Sequence, residues 1–304
     1  MRAAVNAAAR FAAIVFIAAA GTALTGCGQK ENKSAGVREE TVQQSGEWFY
    51  DSFDERQKAA YDAFRSAADD PFAEEPVPIM DEAGESVKIP VTELDEVYQG
   101  FLYDHPEVFW LSRTYSYRSC ADGGPEEFAD AVLAVPLAGS EEELDEQKRE
   151  FESDAARLRH GLEDIESDRE RASAIYNKLA SLTEYEGESV YDGSKESYHT
   201  AYSVISENRG VCDGIALAYK YLLAECGIRS IVIPGESSGA AHVWNTVFWD
   251  GLWHEADLTW DIASGGNDSM QYFDLSTVEM SKDHKRETEG IAALIPDAAA
   301  DGKH

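Results

Sequence analysis

Hydrophobic and polar residues follow different rhythms along this chain, and the changes of rhythm divide it. Residues 11–23 are an apolar run behind Arg2 and Arg10, too short to cross a bilayer and followed by small residues. This pattern predicts a secretion signal over residues 1–26. Residues 27–46 are polar, with almost no large apolar side chains, and are expected to form a flexible tether. From Trp48 to Ala68, aromatic residues recur among charges and predict one amphipathic helix. A second helix is expected from a Thr92 cap to Tyr103, followed by strands at 114–118 and 128–136, with the aromatic stripe read as core. Residues 140–165 predict a charged helix with an apolar line through Leu144, Phe151, Leu158, Leu162 and Ile165.

The second half opens with a helix beginning near Asp168. From Cys212 to Cys226, Ile215, Ala216, Tyr219, Leu222 and Leu223 recur at helical spacing, and Gly227 supplies a stop. Residues 229–236 predict a β run, with a turn at Ser237-Ser238-Gly239. The run around His242 reads as a strand, with His242, Trp244, Thr246 and Phe248 on one face. Asp250-Gly251 predicts a hairpin into L-W-H-E-A-D-L-T-W, which brings Asp257 back towards His242. Residues 47–165 are thus read as an N-terminal α/β region, 166–288 as a second domain and 289–304 as a flexible tail.

Three side chains in this half carry candidate chemistry. Cys212 at a helix start faces free N–H groups and the positive end of the helix dipole, which favour a thiolate and a developing oxyanion. His242 is placed to take the thiol proton, and Asp257 to orient the imidazole, which are the three roles of a catalytic triad. Taken alone, a cysteine at a helix start is more often a small buried hydrophobe and a strand histidine a satisfied core residue. The order of the three motifs favours the triad.

G-V-C-D-G at 210–214, H-V-W-N at 242–245 and W-H-E-A-D-L-T-W at 253–260 resemble the nucleophile helix, histidine strand and aspartate strand of transglutaminase-like domains in the papain-like cysteine enzyme superfamily. A-Y-S-V-I at 201–205 and Y-F-D-L at 272–275 are similar to further family features, whereas Ile215 stands where bacterial members often have an aromatic residue. The resemblance covers about residues 167–285. It implies an α+β fold, with a nucleophile helix packed on an antiparallel sheet, and a triad of Cys212, His242 and Asp257 working without a cofactor. L-T-G-C at 24–27 resembles the lipobox of bacterial lipoproteins, which implies a lipid on Cys27 and an extracytoplasmic protein tethered to the cell membrane.

Composition narrows the partners. A formal charge of −32 argues against nucleic acid and gives a strongly solvated surface. Cys212 and Cys226 lie about 21 Å apart by helical rise and cannot pair. A bridge from Cys120 to Cys226 is geometrically open, although unpaired buried thiols are expected. No cysteine spacing suggests zinc, and on a strand His254 faces away from Asp257, so no metal is expected. The expected activity is attack by Cys212 on a peptide, protein or cell-envelope amide, forming a thioester that passes to water or to an amine. Tyr202 is a candidate second oxyanion donor. The alternative is a catalytically silent surface module that binds peptide or glycan on the same fold.

Overall fold

The computed structural model describes residues 5–6, 46–120, 127–187, 193–265 and 270–299. The signal segment, Cys27 and the tether therefore lie outside the described residues, apart from Gly46 and the Val5–Asn6 backbone, which runs antiparallel to Tyr117 and Ser116. Among the described residues, no helix is long and apolar enough to cross a membrane.

The helix expected from Trp48 to Ala68 is instead two, α1 (Trp48–Ser52) and α2 (Glu55–Asp69). Asp54 breaks the run by forming a reciprocal cap: its carboxylate accepts from Gln57 N at 2.9 Å, and the Gln57 side chain accepts from Asp54 N at 3.1 Å. Strand β1 (Val77–Pro78) and strand β2 (Ile89–Pro90) lead to α3 (Val91–Asp104). Pro90 occupies the cap position expected for Thr92; its missing N–H costs nothing at a helix start. Strands β3 (Leu111–Cys120) and β4 (Phe128–Pro136) pair antiparallel, with β1 and β2 also on β4. Phe64 packs between Tyr98 and Tyr115 at centroid distances of 4.5 and 5.0 Å, so the aromatic stripe is core. Helix α4 (Glu141–Arg159) is capped by Ser140 and stops short of residue 165, where Gly161 adopts φ +82°.

Helix α5 (Asp168–Leu182) starts the second half. The short β5 (Glu184–Tyr185) pairs in parallel with β6 (Arg209–Gly210), and a 3-10 segment (Gly193–His199) and α6 (Ala201–Ile205) lie between them. Helix α7 (Cys212–Glu225) ends in a Schellman turn, with Gly227 N bonded to Ala224 O and Ile228 N to Leu223 O. It packs on a four-stranded antiparallel sheet in the order β9 (Leu252–Ala256), β8 (Ala240–Trp249), β7 (Ser230–Ser237), β10 (His284–Arg286). The turns Ser238-Gly239 and Asp250-Gly251 have positive φ at both central residues, as tight two-residue hairpins require. Helix α8 (Leu258–Ala263) and helix α9 (Thr277–Met280) follow β9. The class is α+β, with the Cys212 helix packed on an antiparallel sheet, as the sequence implied.

One hydrophobic core runs through both halves. Trp48 of α1 stacks edge-on against Trp253 of β9 at 5.5 Å. Residues 290–298, expected to be a frayed tail, are packed into this core: Ile291, Ile295 and Ala298 are buried, and Trp48 Nε1 donates to Leu294 O at 2.9 Å. Ala299 N donates to Trp253 O at 3.0 Å, so the segment is tied to both tryptophans, a tertiary reward that its composition did not reveal. Deeper still, Asp104 at the end of α3 lies 3.9 Å from Lys220 of α7, both buried. Asp104 Oδ2 also accepts from Phe49 N, Tyr50 N and Tyr61 Oη at 2.9–3.1 Å. Burial pushes its carboxyl pKa up to about 6 despite Lys220. Asp104→Ala removes the acceptor and leaves the Lys220 charge buried alone, so denaturant unfolding should show a loss of about 3 kcal/mol; a loss below about 1 kcal/mol would mean that the pair does not tie the halves together.

Candidate active site

Cys212 is the first residue of α7, and the local sequence explains how that helix end is held. Val211 N donates to Tyr198 O at 3.1 Å, which docks the helix start on the 3-10 segment. Gly214 permits the contact: a Cβ there would lie 2.4 Å from Tyr198 O and 3.0 Å from Thr200 O. Asp213 in the same turn accepts from His199 Nδ1 at 2.6–2.7 Å, with Arg113 Nη1 at 3.6 Å. Backbone amides of Val243 and Asp213 interact with the Cys212 sulfur. Even so, burial, followed by the Asp213 and Asp257 carboxylates, pushes the Cys212 thiol up to about 12. The depressed thiol pKa expected from the helix end alone is therefore not what this environment gives.

His242 lies near the start of β8, and Asn245 three residues on fixes the strand to the helix. Its Nδ2 donates to Ala216 O of α7 at 3.0 Å. Trp244 is buried beneath, with Nε1 bonded to Glu255 Oε2 at 2.6 Å. Asp257 is not on a strand, as expected, but at the N-cap of α8, where its Oδ1 accepts from Trp260 N at 3.2 Å. Thr259 and Trp260 are correspondingly helical. The cap position turns the carboxylate inward, and His242 Nε2 meets Asp257 Oδ2 at 2.6 Å. That leaves Nδ1 of His242 as the nitrogen available to a thiol proton.

A second histidine, which the sequence did not single out, shares the same oxygen. His284 Nε2 lies 2.8 Å from Asp257 Oδ2, and His284 Nδ1 lies 2.6 Å from Asp283 Oδ1. Burial raises the pKa of Asp257, but His242 and His284 outweigh it and hold the carboxyl below its ordinary value. For His284 burial opposes protonation, and Asp257 and Asp283 overcome it to raise its pKa. The pair Asp283-His284 was visible only as an acid before a histidine in a short polar run. The donor atoms of His242, Asp257 and His284 lie within 4.8 Å of one another, a set able to surround a cation. Nitrogen–oxygen separations of 2.6 and 2.8 Å are hydrogen bonds, and an ion there would replace the two protons that now bridge to Oδ2.

Other expectations fare differently. Tyr202 is turned away: its hydroxyl donates to Glu150 at 2.7 Å and its ring stacks on Phe109. Tyr103 of α3 lies near the Cys212 turn, its pKa raised by burial, then by Asp213 and, more weakly, by Cys212. Among the tryptophans of the His242 and Asp257 motifs, Trp244 and Trp253 are core, whereas half-buried Trp260 lies against His284 at 5.1 Å. His254 pairs with Asp274 at 2.8 Å, away from Asp257. No disulfide joins Cys120, Cys212 or Cys226, and all three are half-buried.

Comparisons with known proteins find similarity over parts of the chain. Residues 156–258 match the transglutaminase-like superfamily. Over 111 residues the chain is 26% identical to kyphoscoliosis peptidase of Mus musculus and 24% identical to that of Homo sapiens. Each match spans 33% of this chain and only 17% of the relative. Similar solved structures include a TGase (14% identity, TM-score 0.34, covering 47% of this chain and 43% of that one). Another is a candidate cysteine protease from Cytophaga hutchinsonii (15% identity, TM-score 0.34, covering 55% and 59%).

Gly214→Ala should force the start of α7 off Tyr198 O. Thermal unfolding is expected to show about 1–3 kcal/mol of destabilisation; a variant as stable as the parent would show that this contact does not set the helix position.

Proposed function

We propose that this chain, which carries a domain of the transglutaminase-like superfamily, is a thiol enzyme that opens amides through a thioester on Cys212. The observation that carries the reading is the His242 Nε2–Asp257 Oδ2 hydrogen bond of 2.6 Å beside a helix-start thiol that touches the Val243 backbone. Cys212 gives its proton to His242 Nδ1, and the sulfur attacks the amide carbon. As the C–N bond breaks, His242 returns the proton to the leaving amine, and water or a second amine then releases the acyl group. Asp257 holds the imidazole in the tautomer that carries its proton on Nε2. The Cys212 backbone N–H at the start of α7 supplies one oxyanion donor. Two relatives bearing the name peptidase favour water as acceptor.

A thiol pushed up to about 12 cannot ionise to solvent near neutrality, so reactivity has to come from proton transfer to His242. Iodoacetamide labelling of Cys212, followed by mass spectrometry across pH, should therefore show reaction near pH 7 in the parent. In His242→Ala, labelling at pH 7 should fall at least ~100-fold, because the remaining thiol titrates several units higher. A parent as inert as the variant would favour the silent binding module. With a glutamine-containing protein and a labelled amine, cross-linked product would favour transfer, and free carboxylate hydrolysis.

The same reading places the enzyme outside the cytoplasm, anchored by a lipid on Cys27, with peptide, protein or cell-envelope amides as substrates. Expression in a bacterial host with labelled fatty acid should give a labelled, membrane-associated protein. Cys27→Ala should lose the label; label retained in that variant would refute the anchor.

A further inference from the structure

The best-defined group that the proposed reaction leaves unused is His284. It stands at the start of the edge strand β10, buried, and reaches the same Asp257 oxygen as His242. Both of its nitrogens face carboxylates: Nε2 meets Asp257 Oδ2 at 2.8 Å and Nδ1 meets Asp283 Oδ1 at 2.6 Å. An imidazole can donate from both nitrogens only as the cation. We propose that His284 is a positioning residue of the catalytic site, an imidazolium clamped between Asp257 and Asp283 that shares Asp257 Oδ2 with His242 and limits how strongly that carboxylate retains the His242 proton.

The surroundings fit a fixed charge rather than a mobile switch. Trp244, Trp260 and Tyr272 enclose the His284 ring at centroid distances of 5.1, 5.1 and 5.5 Å. The charged and titratable groups facing it are Asp257 from the start of α8, Asp283 on its own segment, His242 of β8 with ring centroids 5.5 Å apart, and Tyr272. The Tyr272 hydroxyl donates to Asp283 Oδ2 at 2.8 Å and so holds the outer carboxylate in place. Lys285 and Arg286 continue the strand, but Arg286 is bound to Glu255 at 2.8 Å and Lys285 is exposed. Burial works against the cation, and the two carboxylates outweigh it.

Two effects on His242 have the same sign. A neighbouring positive charge disfavours a second one, and an oxygen already accepting a charge-assisted hydrogen bond is a weaker acceptor for the next. Both lower the affinity of His242 for its second proton. The imidazolium formed when Cys212 gives up its proton is thus held less tightly, which favours its return to the leaving amine. Loss of the His284 charge should raise the His242 pKa and shift the alkaline limb of Cys212 reactivity upward.

The inference rests on the thiol-enzyme reading for its consequence, but its core is measurable without turnover. In the full chain labelled with ¹⁵N-histidine, long-range ¹H–¹⁵N spectra should show His284 protonated on both nitrogens at pH 7. His284→Gln keeps a neutral donor near Asp257, and in the same spectra His242 should gain its second proton at higher pH than in the parent. Asp283→Asn touches neither His242 nor Asp257 and guards against misfolding of the first variant; it should move the His242 pKa in the same direction by less. A neutral His284 at pH 7, or an unmoved His242 pKa in the folded variants, would overturn the proposal. So would one bound zinc equivalent in the purified parent that is lost in His284→Gln. If His242 shifts as expected while parent Cys212 resists alkylation, the clamp stands and the thiol-enzyme reading fails.

Discussion

The site depends on one carboxylate being kept ionised where water cannot reach it. Asp257 is 1% exposed, and an isolated carboxylate at that depth would take up a proton instead. Its charge survives because two imidazoles share Oδ2 and the Trp260 amide binds Oδ1. The backbone of the same residue is equally committed: its N–H donates to Tyr272 O at 2.7 Å, and its carbonyl accepts from Tyr176 at 2.9 Å. Tyr176 also donates to Asp261 Oδ2, which accepts from the Tyr272 amide as well, while Asp261 Oδ1 accepts from the Gln271 amide. The start of α8, the 270–275 segment and α5 are thereby arranged around a single residue. A shift in any of them moves the oxygen that orients His242.

The same burial that sharpens the carboxylate makes the thiol harder to ionise. At the start of α7 the helix dipole and two backbone amides favour a thiolate, while desolvation and the charges of Asp213 and Asp257 oppose it, and opposition wins. A proton moved from Cys212 to His242 creates a neutral pair overall, so the transfer avoids leaving a lone anion in an acidic pocket. In the proposed reaction His242 takes the proton that the helix end alone cannot release, and Asn245, by bonding Ala216 O, ties the His242 strand to the Cys212 helix.

Much of this was legible because local signals and tertiary outcome coincide. The Cys212 helix with its Gly227 stop, the two hairpin turns and strand 128–136 follow from spacing and turn chemistry, and the His242 and Asp257 motifs meet in a hydrogen bond. Asp257 was misplaced by one element, because alternation in L-W-H-E-A-D-L continues past the point where an aspartate can cap the next helix. The break at Asp54 escaped for the same reason: a cap inside an amphipathic run leaves the apolar period almost intact. His284 and the packed 290–298 segment were beyond local reading. Neither has a pattern of its own; one is defined by a carboxylate 27 residues away and the other by hydrogen bonds to two distant tryptophans.

The N-terminal half is then more than an appendage to the family domain, whose match begins only at residue 156. Helix α3 ends beside the nucleophile helix, where Asp104 meets Lys220, and one residue earlier Tyr103 lies close enough to Asp213 and Cys212 for their charges to raise its pKa. Glu196, next to the 3-10 turn that docks Cys212, accepts from Ser112 Oγ and Arg113 N of β3 at 2.6 and 2.8 Å. Contacts from two N-terminal elements thus bear on both ends of the segment that positions the thiol. A domain cut at the family boundary would expose the Lys220 charge and release Glu196. The α/β region supports α7 through Lys220 and the 3-10 turn through Glu196.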